Sequence, residues 1–154
     1  MEAPLESLVS ARNALAAEVV RSIGELRLRV TGSSMLPAIR PRDELLIRRC
    51  SIAAAGVGDV ILFLRRGHLF AHRVIARSGN ALVVQGDAVE APDAAVSASE
   101  FLGKAVIAWR GDRSFAIRSR MTVRESIVAR LARRSMLAGR LLTRLCSPKV
   151  RGAP

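Results

Sequence analysis

Two short runs of alternating side chains, joined by a turn of small residues, constrain this chain more than any other feature. Leu26, Leu28 and Val30 alternate with Arg27 and Arg29, a period of two that puts the apolar groups on one face of a strand. Glu44-Leu45-Leu46-Ile47 reads as a second strand. Between them run Thr31-Gly32-Ser33-Ser34-Met35-Leu36-Pro37-Ala38-Ile39-Arg40-Pro41-Arg42-Asp43. Gly32 allows an unusual backbone conformation just before Ser34. Pro37 and Pro41 stiffen the exit, and Pro37 keeps Leu36 out of a helix. Pro41-Arg42 has no glycine after the proline, which predicts a type I turn. Serines in such turns ordinarily bond to backbone. A serine held between rigid strands also suits nucleophilic catalysis, where a hydroxyl must meet a base in fixed geometry.

The rest of the chain extends the strand pattern. Residues from about 4 to 23 read as an amphipathic helix, with Leu5, Leu8, Val9, Ala16, Val19, Val20 and Ile23 near helical spacing. Pro4 suits its first turn, and Gly24 ends it. Ser51 to Gly58 is a small connector. Asp59 to Leu64 is a buried strand, Arg65-Arg66-Gly67 a hairpin turn, and His68 to Ala76 the return strand. Ser78-Gly79-Asn80 turns into a strand over Ala81 to Gln85. A polar, alanine-rich loop over 86–100 leads to strands at Phe101 to Arg110 and Phe115 to Ile117, joined at Gly111-Asp112. The expected fold is mainly β (α+β), a coiled antiparallel sheet or open barrel with helices at its ends. Its parts are an N-terminal helix (1–24), a β domain (25–117) and a basic C-terminal helix and tail (118–154).

Apolar residues make up 50% of the 154, yet aromatics only 3%, so the core is aliphatic. The net charge of +12 favours an anionic partner. Residues 118–154 hold ten basic side chains and one acid, Glu125, hence +9 of that +12. Thr122 and Glu125 form a capping box, and Ile127, Val128, Leu131, Leu137, Leu141, Leu142 and Leu145 supply an apolar stripe. A basic amphipathic helix of this kind implies an anionic membrane surface or a partner protein. The alternative is a terminal helix packed on the domain with its arginines in water. Nucleic acid is disfavoured, because stacking aromatics are scarce. No stretch reaches the length of a transmembrane span, and the acidic N-terminus is no secretory signal. The expected location is cytoplasmic or peripheral to the inner membrane. Cys50 and Cys146 have no metal-ligand spacing and no CxxC; free thiols are the first reading, a single disulfide the second. With two histidines and two distant cysteines, no metal site and no cofactor are expected.

Five short boxes then occur in order. They are Gly32-x-Ser34-Met35-x-Pro37, Gly58-Asp59-Val60-Ile61-Leu62-Phe63, His72-Arg73-Val74-Ile75, Val84-Gln85-Gly86-Asp87 with Asp93 six residues on, and Leu102-Gly103-Lys104-Ala105-Val106. Together they resemble the type I signal peptidases and their LexA-like relatives, across roughly residues 26–108. His72-Arg73-Val74 resembles the base box of the archaeal and endoplasmic-reticulum branch, which pairs serine with histidine rather than lysine. The resemblance implies the signal-peptidase fold and a serine endopeptidase that cleaves a leader or signal-like segment from a peptide or protein precursor. The substrate would lie extended as an added strand, with small residues near the cut. Typical signal peptidases carry an anchor before the serine box; none is evident here, which points to one particular precursor.

Ser34 needs a base. His68 and His72 share one strand face, being four residues apart, so spacing does not separate them. The resemblance selects His72, with Lys104 as the lysine alternative. It also implies Asp93 as the group orienting His72, and Asp87 as a structural brace. The backbone N–H of Ser34 would supply the oxyanion donor. Gly32 stands where many relatives place a hydroxyl donor, Ser33 points elsewhere, Met35 completes the turn, and Arg73 lies on the face opposite His72. Ala88 and Val89 replace the asparagines that relatives carry after Gly-Asp, so this loop must be held differently. Two other readings stand beside the peptidase: a binding or regulatory module of the same fold without turnover, and a basic membrane- or nucleic-acid-associated protein acting through its tail.

Overall fold

The computed structural model describes residues 3–117 and Ser119; the C-terminal helix expected within 118–154, and Cys146, lie outside the described residues. Helix α1 (Ala3–Ile23) comes first, followed by strands β1 (Glu25–Arg29) and β2 (Glu44–Arg48). After a 3-10 turn at Ile52–Ala54 come β3 (Val60–Arg65), β4 (His68–Ser78), β5 (Ala81–Gln85), β6 (Phe101–Arg110) and β7 (Arg113–Ala116). All pairings are antiparallel, in the order β1-β2-β6-β3-β4-β5, with β7 also on β6. The fold is thus mainly antiparallel β with an N-terminal helix, and the sheet is open rather than a closed barrel.

Alternation sorts the aliphatic residues into two cores. Leu45, Ile47, Val60, Leu62, Leu102, Ala105 and Ala108 face one side, where Ala17 and Val20 of α1 and Met35 and Ile39 of the serine loop cover them. Ile61, Phe63, Val74, Leu82, Val84 and Phe101 face the other, joined by Ala55 and Val96. The helix buries only the stripe Asn13, Ala17 and Val20, spaced four and three apart. Gly24, at φ +91°, stops it, its N–H bonding the Val20 carbonyl at 3.1 Å.

Several boundaries moved. The β3–β4 hairpin turns on Arg66 and Gly67 alone, at φ +50° and +77°, the pattern of a type I′ turn; Arg65 is still strand. Asn13 of α1 donates to the Gly67 carbonyl at 2.9 Å, fixing this end of the hairpin to the helix. Strand β4 runs on to Ser78, past a register shift between Val74 and Ala76. Among the described residues the last strand is Arg113–Ala116, not Phe115 to Ile117. The loop over 86–100 is not wholly irregular, because Val96 forms a bridge with Leu82 and is fully buried.

One expectation fails outright. Arg42 sits at φ +76°, so Arg40-Pro41-Arg42-Asp43 is a type II turn rather than type I, closed by the Asp43 N–H on the Arg40 carbonyl at 3.0 Å. The strain of a side chain in the left-handed region is offset by Asp43. Its buried carboxylate accepts the Arg40 N–H at 2.9 Å and binds Arg110 through two hydrogen bonds of 2.9 and 2.6 Å. Arg110 also reaches the Ala38 carbonyl at 3.2 Å, so a residue of β6 braces the loop that presents Ser34.

Candidate active site

The β3–β4 register places the candidate base, His72. His72 stands opposite Ile61, and Arg73 opposite Val60, so adjacent residues serve opposite faces. His72 is buried, with its ring edge-on to Phe63 at a centroid distance of 6.0 Å. His72 Nε2 lies 3.0 Å from Ser34 Oγ, and Nδ1 lies 2.5 Å from Asp93 Oδ2. The carboxylate can only accept, so Nδ1 carries the proton and donates to Asp93. Nε2 then offers its lone pair to the Ser34 hydroxyl. Ser34 is half-buried and Asp93 partly exposed. The three groups form one hydrogen-bonded line from carboxylate to hydroxyl, the arrangement that activates a serine.

His68 shares the His72 face, as expected, but Phe70 stands between the two rings, at 6.4 Å from His68 and 6.0 Å from His72. Lys104 is committed elsewhere: Nζ donates to Asp59 Oδ2 at 3.1 Å and to the Ala54 carbonyl at 3.3 Å. The nitrogen at hydrogen-bond distance from Ser34 Oγ is that of His72. Burial works to raise the Asp59 carboxyl, but the Gly56 N–H, Lys104 and Ser119 together hold it below the usual value. Ser33 is exposed beside Ser34, Gly32 is exposed, and Met35 is buried in the core under the turn.

Arg73 and Asp87 form a two-pronged buried ion pair on the other face, with bonds of 2.9 and 2.8 Å. A third Arg73 bond, to the Gly58 carbonyl at 2.8 Å, ties the start of β3 to the 86–89 turn. The Gly-Asp box thereby braces the loop. The bonding that replaces the missing asparagines is largely backbone: the Ala88 N–H donates to the Ser34 carbonyl at 2.8 Å and the Val89 N–H to Gly86 at 3.0 Å. The Gln85 side chain donates to the carbonyls of Val89 and Glu90 at 2.7 and 3.1 Å.

The sequence reading missed Gly86 as a contact residue. A Cβ there would stand 2.8 Å from the Ser34 carbonyl oxygen and 3.1 Å from Ser34 Cβ, so only glycine lets the loop approach the serine this closely. It also missed Arg110, since nothing in sequence links it to Asp43 sixty-seven residues away. Among the described residues no group of three or more His, Cys, Asp or Glu is placed to hold a metal ion, and no helix is long and apolar enough to cross a membrane. No protein-family model matches the chain, and a search of curated proteins gives no significant match.

Proposed function

We propose that this chain is a serine endopeptidase of the signal-peptidase type, which releases a leader or signal-like segment from a peptide or protein precursor. The observation that supports this most is the line Ser34 Oγ, His72 Nε2, His72 Nδ1, Asp93 Oδ2, with separations of 3.0 and 2.5 Å. Ser34 Oγ attacks the scissile carbonyl as its proton passes to Nε2. Asp93 stabilises the imidazolium that forms. The backbone N–H of Ser34 is the proposed donor to the developing oxyanion. The imidazolium then protonates the departing amine, leaving an acyl group on Ser34. Water, deprotonated by His72, hydrolyses that ester and restores the hydroxyl.

A precursor peptide bound as an added strand suits an open sheet. Loss of the asparagines at Ala88 and Val89 does not leave this loop unsupported. The Ala88 N–H itself holds the Ser34 carbonyl, so the loop supports the serine without asparagine side chains.

The test is labelling of the full chain by a fluorophosphonate together with cleavage of a peptide library. Ser34→Ala abolishes both and leaves the thermal melt close to wild type, whereas Ser33→Ala retains most activity. His72→Ala lowers turnover at least ~10³-fold, and His68→Ala and Lys104→Met do not. A wild-type chain that neither labels nor cleaves, or a labelled Ser34→Ala, rejects the reading.

A further inference from the structure

Asp93 lies on the connection between β5 and β6, and the residues on either side, Pro92 and Ala94, are exposed. A carboxylate on such a segment has no fixed direction unless its backbone is held. On its N-terminal side the hold is visible: the Asp93 N–H bonds the Val84 carbonyl at 2.9 Å. On its C-terminal side the chain bends at Ala94 before Val96 joins Leu82. In an extended strand, consecutive carbonyls point in opposite directions. Here the carbonyls of Ala94 and Ala95 converge on one guanidinium, Arg65, at 3.0 and 2.9 Å.

Arg65 is the last residue of β3 and lies twenty-nine residues from that bend along the chain. Glu100 holds it in place through two hydrogen bonds of 2.5 and 2.9 Å. Glu100 Oε2 also accepts the Ser97 N–H at 3.0 Å and the Ser97 hydroxyl at 3.1 Å, while the Glu100 carbonyl accepts the Leu64 N–H at 2.9 Å. The guanidinium rests over the Phe63 ring at 5.3 Å, and that ring meets His72. One cation therefore joins the strand opposite His72 to the bend that follows Asp93. Only a planar fork of donors spans two carbonyls and a carboxylate at once.

We propose that Arg65 is a positioning residue: its bracket with Glu100 fixes the bend at Ala94 and Ala95, and thereby aims the Asp93 carboxylate at His72 Nδ1. The effect on rate rests on the peptidase reading above; the effect on the His72–Asp93 hydrogen bond does not. Removing the guanidinium frees the two carbonyls and lets the bend relax toward an extended strand, which swings Asp93 away from the imidazole.

The experiment compares full-length wild type with Arg65→Ala, Arg65→Lys and Glu100→Gln. The first readout is the far-downfield imidazole proton of the His72–Asp93 bond in the NMR spectrum, with Asp93→Asn as the reference for its loss. The second is the rate of Ser34 labelling by a fluorophosphonate, and a thermal melt checks folding. Arg65→Ala is expected to lose or displace the resonance and to slow labelling about 10- to 100-fold, the cost of misplacing a catalytic group by about an ångström. Arg65→Lys restores part of both, and Glu100→Gln falls between. If Arg65→Ala does not fold, Arg65→Lys and Glu100→Gln decide by the same two readouts. A folded variant set that keeps the resonance unshifted overturns the positioning role, whatever the labelling shows. If the resonance responds to Arg65 while even wild type fails to label, the positioning role stands and the peptidase reading falls.

Discussion

The Arg73–Asp87 pair gives the sharpest energetic expectation. Both side chains are nearly inaccessible, at 9% and 2%, and they meet in a two-pronged geometry, with Arg73 also bonded to the Gly58 carbonyl. Removing one partner takes the two-pronged counterion from a buried charge, a loss of up to about 3–5 kcal/mol. A chain of this length unfolds with an entropy of roughly 0.3 kcal/mol/K, so Arg73→Met should lower Tm by up to about 10–15 °C. Total stabilities run at about 5–15 kcal/mol, so much of the folded margin disappears. Replacing both partners, as Arg73→Met with Asp87→Leu, removes the charges together and should recover most of the loss. The double variant still lacks the brace on the 86–89 turn, which carries Gly86 and the Ala88 N–H against Ser34. Its melt should therefore recover further than its rate of fluorophosphonate labelling. The assay is calorimetry of wild type, both single variants and the double, beside labelling of each. Single variants that melt within about 3 °C of wild type would refute the assignment of this pair as a buried brace. A double variant labelled at the wild-type rate would refute its link to Ser34.

Gly86→Ala places a methyl 2.8 Å from both the Ser34 carbonyl oxygen and Val89 Cγ2, so it should cost about 1–3 kcal/mol and displace the serine. Labelling should fall far more than the melt, and an unchanged labelling rate would show that the loop yields without moving Ser34. Hydrogen bonding to Arg65 leads the effects that hold Glu100 at about 2, well below its ordinary 4.5. A carboxyl depressed in the folded state stabilises above its unfolded value, and that stability is lost as pH falls from about 4.5 through about 2. Glu100→Gln should therefore flatten the acid limb of a melt-versus-pH curve, with Asp59 and Glu44, both also lowered, keeping part of the slope.

How much of this was legible in the sequence depends on the range of each interaction. Period-two alternation showed Leu26, Leu28, Leu45 and Ile47 as strand residues, because burial of one face writes itself into consecutive positions. A hairpin near Arg66-Gly67 was legible for the same local reason, but its register was not: a three-residue turn from Arg65 would pair Leu64 with His68, whereas Arg65 itself pairs with His68 and so puts His72 opposite Ile61. Ser34, His72 and Asp93 came as candidates from the order of short boxes, since residues 38 and 21 positions apart leave no local trace of their contact. What stayed hidden was set by partners distant in sequence. The Arg40-Pro41-Arg42-Asp43 turn was misread because local chemistry disfavours a left-handed arginine. The restraint that reverses it, the Asp43–Arg110 pair, comes from a strand sixty-seven residues on.

Long-range ties of this kind also let a chain with 3% aromatics hold a compact polar site. Aliphatic cores on both faces fix the strands, but they do not direct loops. The serine loop, the Gly86–Val89 turn and the Asp93 bend each end on an arginine that leaves a strand: Arg110 from β6, Arg73 from β4 and Arg65 from β3. In each case the fork binds a carboxylate and also at least one loop carbonyl. Basic residues read from composition alone suggest an anionic partner. Three of them here have an intramolecular role, tying the segments that bear Ser34, its supporting turn and Asp93 to the sheet that bears His72. If that is their common function, lysine at any of the three positions should fold yet loosen the site, because an ammonium lacks the fork that spans both acceptors.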